Sequence, residues 1–199
     1  MADLVFLYSA MNGGKSTVLL QTAHNYEERF LKPLIVKSSI DTKGNDKIVS
    51  RVSDNLGRNA DVILKEKEKL SDKVDITDYD VILVDEAQFL SKNQIEELWY
   101  ISKLYDLNVI CYGLKTDFKT NSFPGSLRLF ELADQIKELD NIPLCECGEK
   151  ARFNARMKGN QYILQGKQNV IDNSNDVSYN PLCGKCYIKK VLKYGRKDI

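Results

Sequence analysis

Three groups of residues in this chain have types and spacings that could do chemistry. The first is Ser9-Ala10-Met11-Asn12-Gly13-Gly14-Lys15-Ser16, which fits the phosphate-binding pattern G-x-x-x-x-G-K-[ST] at every defined position but the first, where Ser9 stands for glycine. Backbone amides of such a loop point inward at phosphate oxygens, Lys15 would reach the β and γ oxygens, and the Ser16 hydroxyl would ligate magnesium. A glycine-rich turn before an ordinary helix is the bland alternative. The second group is Asp85-Glu86, two carboxylates at the end of the apolar run Val81 to Val84. Asp85 suits a magnesium-holding role and Glu86 a general base for an attacking hydroxyl; helix-capping acids ahead of Ser91 are the alternative. The third group is the cysteine pairs Cys145/Cys147 and Cys183/Cys186, with 35 residues between them. Four soft ligands in two short pairs fit one closed tetrahedral zinc site of structural type, against a free-thiol or redox reading.

The elements that must position these groups follow from periodicity. Leu4 to Tyr8 reads as a strand, the glycine loop follows it, and Ser16 to Phe30 carries helical spacing. Leu34 to Val36, Asp61 to Leu64, Val81 to Val84, Val109 to Tyr112 and Gln135 to Leu139 read as further strands. Helices are expected after Ser91 to about Leu107 and over Gly125 to Asp134. Strands alternating with helices predict an α/β fold, a parallel sheet flanked by helices. The polar stretch Ser38 to Asn59 reads as a long loop, and the tract Lys65 to Lys73 as a solvated face. After Pro143 the composition turns to cysteine, glycine and asparagine, with a helix expected only over Cys186 to Tyr194. This predicts a nucleotide-binding domain over 1–141 and a small zinc-bearing domain over 142–199.

Composition excludes several classes of function. Lys and Arg number 29 against 28 Asp and Glu, so no net positive field favours a polynucleotide. No apolar run approaches the roughly 20 residues of a membrane helix, and five cysteines without a secretory leader point to the cytosol. Cys111, alone in a predicted buried strand, reads as core. The single histidine, His24, reads as a surface or packing residue, which leaves no histidine-based catalysis.

The phosphate loop with Met11 inside it, Asp85-Glu86-Ala87-Gln88-Phe89, Cys111-Tyr112-Gly113-Leu114 leading to Phe118, and the two cysteine pairs together resemble the cytosolic, zinc-containing thymidine kinases from end to end. The resemblance implies transfer of the γ-phosphate of ATP to the 5′-hydroxyl of thymidine or deoxyuridine, giving dTMP and ADP, with Glu86 as base. It assigns Ser9 to Ser16, Asp85 and Gln88 to ATP and Mg2+, and structural Zn2+ to Cys145, Cys147, Cys183 and Cys186. Met11, Phe89 and Phe118 would enclose the base. A zinc-tethered lasso would cover it with Gln168, Asn169, Val170, Ile171, Asp172 and Tyr179, and Arg156 beneath the lasso would bind the substrate with them. A homotetramer and feedback by dTTP are implied as well. The chain has Ile171-Asp172-Asn173 where the family commonly has Ile-Gly-Gly, and the segment to Tyr179 is two residues longer; Asp and Asn tolerate left-handed backbone better than most. Two other functions fit the same motifs in part. A nucleic-acid-dependent ATPase would use the glutamate on water, and a zinc ribbon would only bind partners. Balanced charge opposes the first, and the aromatic pair Phe89 and Phe118 opposes the second.

Overall fold

The computed structural model describes residues 1–41, 47–49, 57–140, 143–168 and 177–192. Its first half runs β1 (Leu4–Tyr8), α1 (Lys15–Glu27), β2 (Pro33–Ser38), β3 (Lys47–Val49), β4 (Gly57–Asn59), β5 (Val62–Leu64) and β6 (Val81–Asp85). Then come α2 (Lys92–Leu104), β7 (Asn108–Gly113), α3 (Pro124–Leu132), β8 (Gln135–Glu138), β9 (Phe153–Lys158), β10 (Gln161–Tyr162), β11 (Val177–Leu182) and α4 (Gly184–Tyr187).

Six of these strands form one parallel sheet in the order β5-β2-β6-β7-β1-β8. All five residues of β6 are buried, as a central strand covered on both faces requires. Alternation along the strands divides the core: Val81 and Leu83 join Ile35, Tyr112 and the α1 residues Leu19 and Ala23, whereas Ile82 and Val84 join Leu34, Val36, the α2 residues Ile95 and Leu98, and Leu129 of α3. Helices thus lie on both faces, and the predicted α/β architecture is the one observed. Register aligns the strand ends that matter. Tyr8 pairs with Gly113 and Lys37 with Asp85, so the C-terminal ends of β1, β2, β6 and β7 share one edge of the sheet, where open α/β sheets bind ligands.

Local signals set the helix starts. Ser91 and Gln94 form a reciprocal capping box at α2, Ser91 N–H donating to Gln94 Oε1 at 3.0 Å. Pro124 opens α3. Gly125, in its first turn, lies against carbonyl oxygens of the residues after β6: a Cβ there would sit 2.6 Å from Ala87 O and 2.7 Å from Leu90 O. Gly125→Ala should therefore lower unfolding free energy by about 1–3 kcal/mol, the range for forced overpacking, measured by chemical denaturation. A loss under about 0.5 kcal/mol would show that the carbonyls yield freely.

Four expectations are corrected. The supposed loop from Ser38 to Asn59 contains the antiparallel pair β3 and β4, and Ile48 is buried beneath α1. The charged tract Lys65 to Lys73 is not merely solvated: Leu70 is fully buried, and Gln94 Nε2 donates to the carbonyls of Lys65 and Glu68 at 2.8 and 2.9 Å. The helix expected from Cys186 begins two residues earlier, as the short α4, and continues as a π-helical turn, Ile188–Leu192; residues 193 and 194 lie outside the described ones. The cysteine-rich part also contains a three-stranded antiparallel sheet, β10-β9-β11, not foreseen from sequence. Among the described residues, no helix is long and apolar enough to cross a membrane.

Candidate active site and cysteine cluster

The phosphate loop leaves β1 at the shared sheet edge, where Ser9 N–H donates to Gly113 O at 3.3 Å. Asn12 (φ 64°) and Gly14 (φ 71°) are left-handed, the alternation that turns successive N–H groups toward one concavity. Gly14 is the N-cap of α1, and Lys15 is its first residue. Lys15 is buried, with Nζ donating to Ala10 O at 3.3 Å inside the loop. Ala10 and Gly13 are joined by Gly13 N–H to Ala10 O, closing the turn.

Asp85 ends β6 directly beside this loop. Ser16 Oγ donates to Asp85 Oδ2 at 3.1 Å, joining the two motifs across 69 positions of sequence. Burial, and next the neighbouring Glu86 carboxylate, raise the Asp85 pKa to about 7, against the opposing Ser16 hydrogen bond and Lys15 charge. A divalent cation seated between Ser16 and Asp85 would supply the missing positive charge. Glu86 follows in left-handed conformation (φ 48°, ψ 43°) and caps the turn Ala87–Phe89 without a side-chain hydrogen bond to it, so the helix-capping alternative is not what the geometry contains. Its carboxylate instead accepts from Gln88 Nε2. Gln88 is buried, and its Oε1 accepts from Leu114 N–H at 3.0 Å. The resemblance assigns this side chain to ATP and Mg2+; in the structure it braces Glu86 against the end of β7.

The residues expected around a base lie partly here and partly on the side of the cysteine pairs. Met11 N–H donates to Asn154 Oδ1 on β9 at 2.8 Å, tying the phosphate loop to the second sheet. Phe89 packs edge-on against Phe123, with centroids 5.8 Å apart. Phe118 is buried with the Arg156 guanidinium on its face, Arg156 bonds the Tyr179 hydroxyl, and Gln168 Nε2 donates to Asp117 Oδ2 at 3.0 Å. Asn169, Val170, Ile171 and Asp172 lie outside the described residues. Asn154, Asp117 and Phe123 went unnoticed in the sequence, where no motif marks them. His24 is exposed beside Glu28 and Cys111 is fully buried, as expected of a surface residue and a core thiol.

The four cysteines converge. Cys145 N–H donates to Glu149 O and Gly148 N–H to Cys145 O, each at 2.8 Å, so the first pair sits on a tight turn that Gly148 completes at φ 85°. The second pair begins α4, where Cys183 Sγ accepts from Cys186 N–H. All four Sγ atoms lie within 4.8 Å of one another, and Cys147 and Cys183 are 3.7 Å apart. Zn–S bonds of about 2.3 Å in a tetrahedron separate sulfurs by about 3.8 Å, so the cluster fits structural zinc. Burial raises Cys145, but backbone N–H groups of Cys147 and Cys183 outweigh it and bring the thiol down to about 7, whereas neighbouring Cys147 and Cys183 push Cys186 up to about 12. Four thiolates need a cation to share that space.

Comparison with known proteins agrees with this assembly. The family model described as thymidine kinase matches residues 2–187. The thymidine kinase of Shewanella oneidensis is 39% identical over 191 residues, covering 93% of this chain and 96% of its own length. That of Colwellia psychrerythraea is 42% identical over 198 residues, with 96% and 99% covered, and that of Pasteurella multocida 37% over 195, with the same shares.

Proposed function

Because the chain belongs to the thymidine kinase family and is therefore an ATP-dependent kinase, we propose that it transfers the γ-phosphate of ATP to the 5′-hydroxyl of thymidine or deoxyuridine, with Glu86 as general base. The observation that carries this reading is the joint placement, at one sheet edge, of the phosphate loop, Asp85 bonded to Ser16, and a Glu86 carboxylate braced by Gln88. In the proposed step the 5′-oxygen forms a bond to the γ-phosphorus as its proton passes to a Glu86 carboxylate oxygen. The bond from that phosphorus to the β–γ bridging oxygen breaks, and its electron pair leaves with ADP. Loop amides from Ala10 to Ser16 and the Lys15 ammonium would hold the transferring oxygens, and Ser16 with Asp85 would hold Mg2+, whose charge neutralises the phosphates.

Met11, Phe89 and Phe118 are proposed to bound the base, with Gln168 to Asp172 and Tyr179 covering it. Support comes from the ties that bring Met11 to Asn154 and Gln168 to Asp117, against the same loop that carries Phe118. The division at 141/142 belongs to the same proposal, supported by a separate apolar cluster of Cys145, Ala151, Ala155, Leu182 and Tyr187 around the cysteines. A cytosolic homotetramer subject to dTTP is the assembly this reading carries with it.

The deciding assay is ATP consumption with thymidine, with single-stranded DNA, or with neither. Dependence on thymidine, with dTMP as product, is expected; stimulation by DNA in the absence of nucleoside would overturn the reading. The purified protein should also hold about one zinc per chain, and Cys147→Ser should lower that content and the thermal midpoint together. Metal analysis of active protein that finds no zinc would remove the structural ion.

A further inference from the structure

Arg156 lies on β9, the middle strand of the antiparallel sheet, and is only 1% exposed. A buried guanidinium is costly unless its N–H groups find partners. Here Nε donates to the Tyr179 hydroxyl at 2.9 Å, and Nη2 to the same hydroxyl at 2.6 Å and to Gln168 O at 2.9 Å. Nη1 donates to Lys167 O at 2.7 Å. The flat face of the group rests on Phe118, with Cζ 3.5 Å from the ring centroid. Four of the five N–H directions of an arginine fork are thus committed to protein, and one face is covered.

The partners come from three separate stretches of chain. Tyr179 is the direct cross-strand neighbour of Arg156 in the β9–β11 ladder. Lys167 and Gln168 follow Gly166, whose own φ is 113° and where a Cβ would come within 3.3 Å of Nη1. Phe118 belongs to the loop after β7, which is itself bound to those stretches by Lys119 Nζ to Gly166 O at 3.0 Å and Gln168 Nε2 to Asp117. The Tyr187 hydroxyl donates to Phe118 O from the other side.

We infer that Arg156 is a positioning residue for the nucleoside: its fork fixes Phe118, Lys167–Gln168 and Tyr179 relative to one another and so sets affinity for the base, without touching it. The inference rests on the nucleoside site proposed above. It gives Arg156 an indirect role in place of the direct substrate contact the resemblance implies, because four of its five N–H directions are already committed to protein. Lysine cannot substitute, since a single ammonium does not span two carbonyls and a hydroxyl while stacking flat on a ring. ATP, held in this reading by the loop after β1, makes no use of the Arg156 fork and should be indifferent to the change.

Steady-state kinetics of Arg156→Met, Arg156→Lys, Tyr179→Phe and Arg156→Met/Tyr179→Phe test this, once the unmodified chain is shown to turn over thymidine. Loss of several charge-assisted bonds should raise the thymidine KM by roughly tenfold or more in both arginine variants, with the ATP KM within about twofold. Tyr179→Phe should raise the thymidine KM by a smaller factor, and the double variant should add less than about twofold to Arg156→Met, because both changes break one shared unit. A thymidine KM within twofold of the unmodified value, equal shifts in both KM values, or additivity would each overturn the assignment. Should Arg156→Met not fold, Arg156→Lys decides: a rise confined to the thymidine KM sustains the role, and no rise overturns it. Amide exchange at Lys167, Gln168 and Tyr179, expected to quicken in Arg156→Met without any ligand, reads the positioning apart from the reaction. If exchange quickens but the unmodified chain does not phosphorylate thymidine, the kinase reading alone fails.

Discussion

Glu86→Gln is expected to reduce turnover by roughly a hundredfold or more, the contribution of a positioned general base, while ATP and thymidine still bind. The substitution is nearly isosteric, so the left-handed backbone at φ 48°, which disfavours most residues, is asked to carry a side chain of the same length and branching. The Gln88 amide can still donate to the carbonyl oxygen of a glutamine at 86, and Gln88 keeps its bond from Leu114 N–H. What disappears is the capacity to take the proton of the 5′-hydroxyl. Equilibrium binding of both substrates together with single-turnover rates separates these effects. Turnover within a fewfold of the unmodified protein would remove Glu86 as the base and leave the phosphate loop as the main source of rate.

Lys15→Ala is expected to have a comparable effect through charge. Lys15 is the buried first residue of α1, held against Ala10 O inside the loop, with the positive end of the helix behind it. An ammonium so placed is preorganised for the oxygens of a transferring phosphoryl group, and removing one such donor costs about 10²–10³ in rate. The loss should persist at saturating ATP, because the contact strengthens as charge moves onto those oxygens in the transition state. Truncation also opens space in a closed loop, so thermal midpoints must accompany the kinetics. A midpoint lowered by only a few degrees with turnover down a hundredfold assigns the effect to chemistry. Unchanged turnover would mean that the loop is not catalytic.

Much of this active end is legible in the sequence because its signals are local. Phosphate-loop spacing depends on consecutive residues, and Ser9 to Ser16 fold into it through two left-handed positions, Asn12 and Gly14. The four-residue apolar run before Asp85 reads as a central strand because both faces must be covered, and the sheet buries all of β6. The cysteine pairs likewise each sit on one short turn, so pair spacing alone anticipates a four-sulfur cluster.

The antiparallel sheet beside the cysteine cluster was only partly legible, for reasons its residues make plain. β9 reads Phe-Asn-Ala-Arg-Met-Lys, whose alternation of apolar and polar residues does mark a strand, but the polar Asn154 and Arg156 are buried alongside Ala155, which the pattern does not anticipate. β11 contains Pro181, which argues against a strand by sequence; it is accommodated because β11 is an edge of the β10-β9-β11 sheet. β3 and β4 are three-residue strands, and the burial of Ile48 in β3 comes only from packing against α1. Sequence by itself therefore determined which residues could carry phosphate chemistry and which could hold a metal, since those properties reside in residue type and near-neighbour spacing. How the two parts meet was decided by tertiary structure alone. Met11 bonds Asn154 across 143 positions and Tyr187 bonds Phe118 across 69, while Gln88 takes its role from the Leu114 N–H, and Arg156 from carbonyls, a hydroxyl and a ring, that no local pattern brings near. Polar side chains of this kind are buried only where distant backbone satisfies every donor, and that condition exists only after the chain has folded.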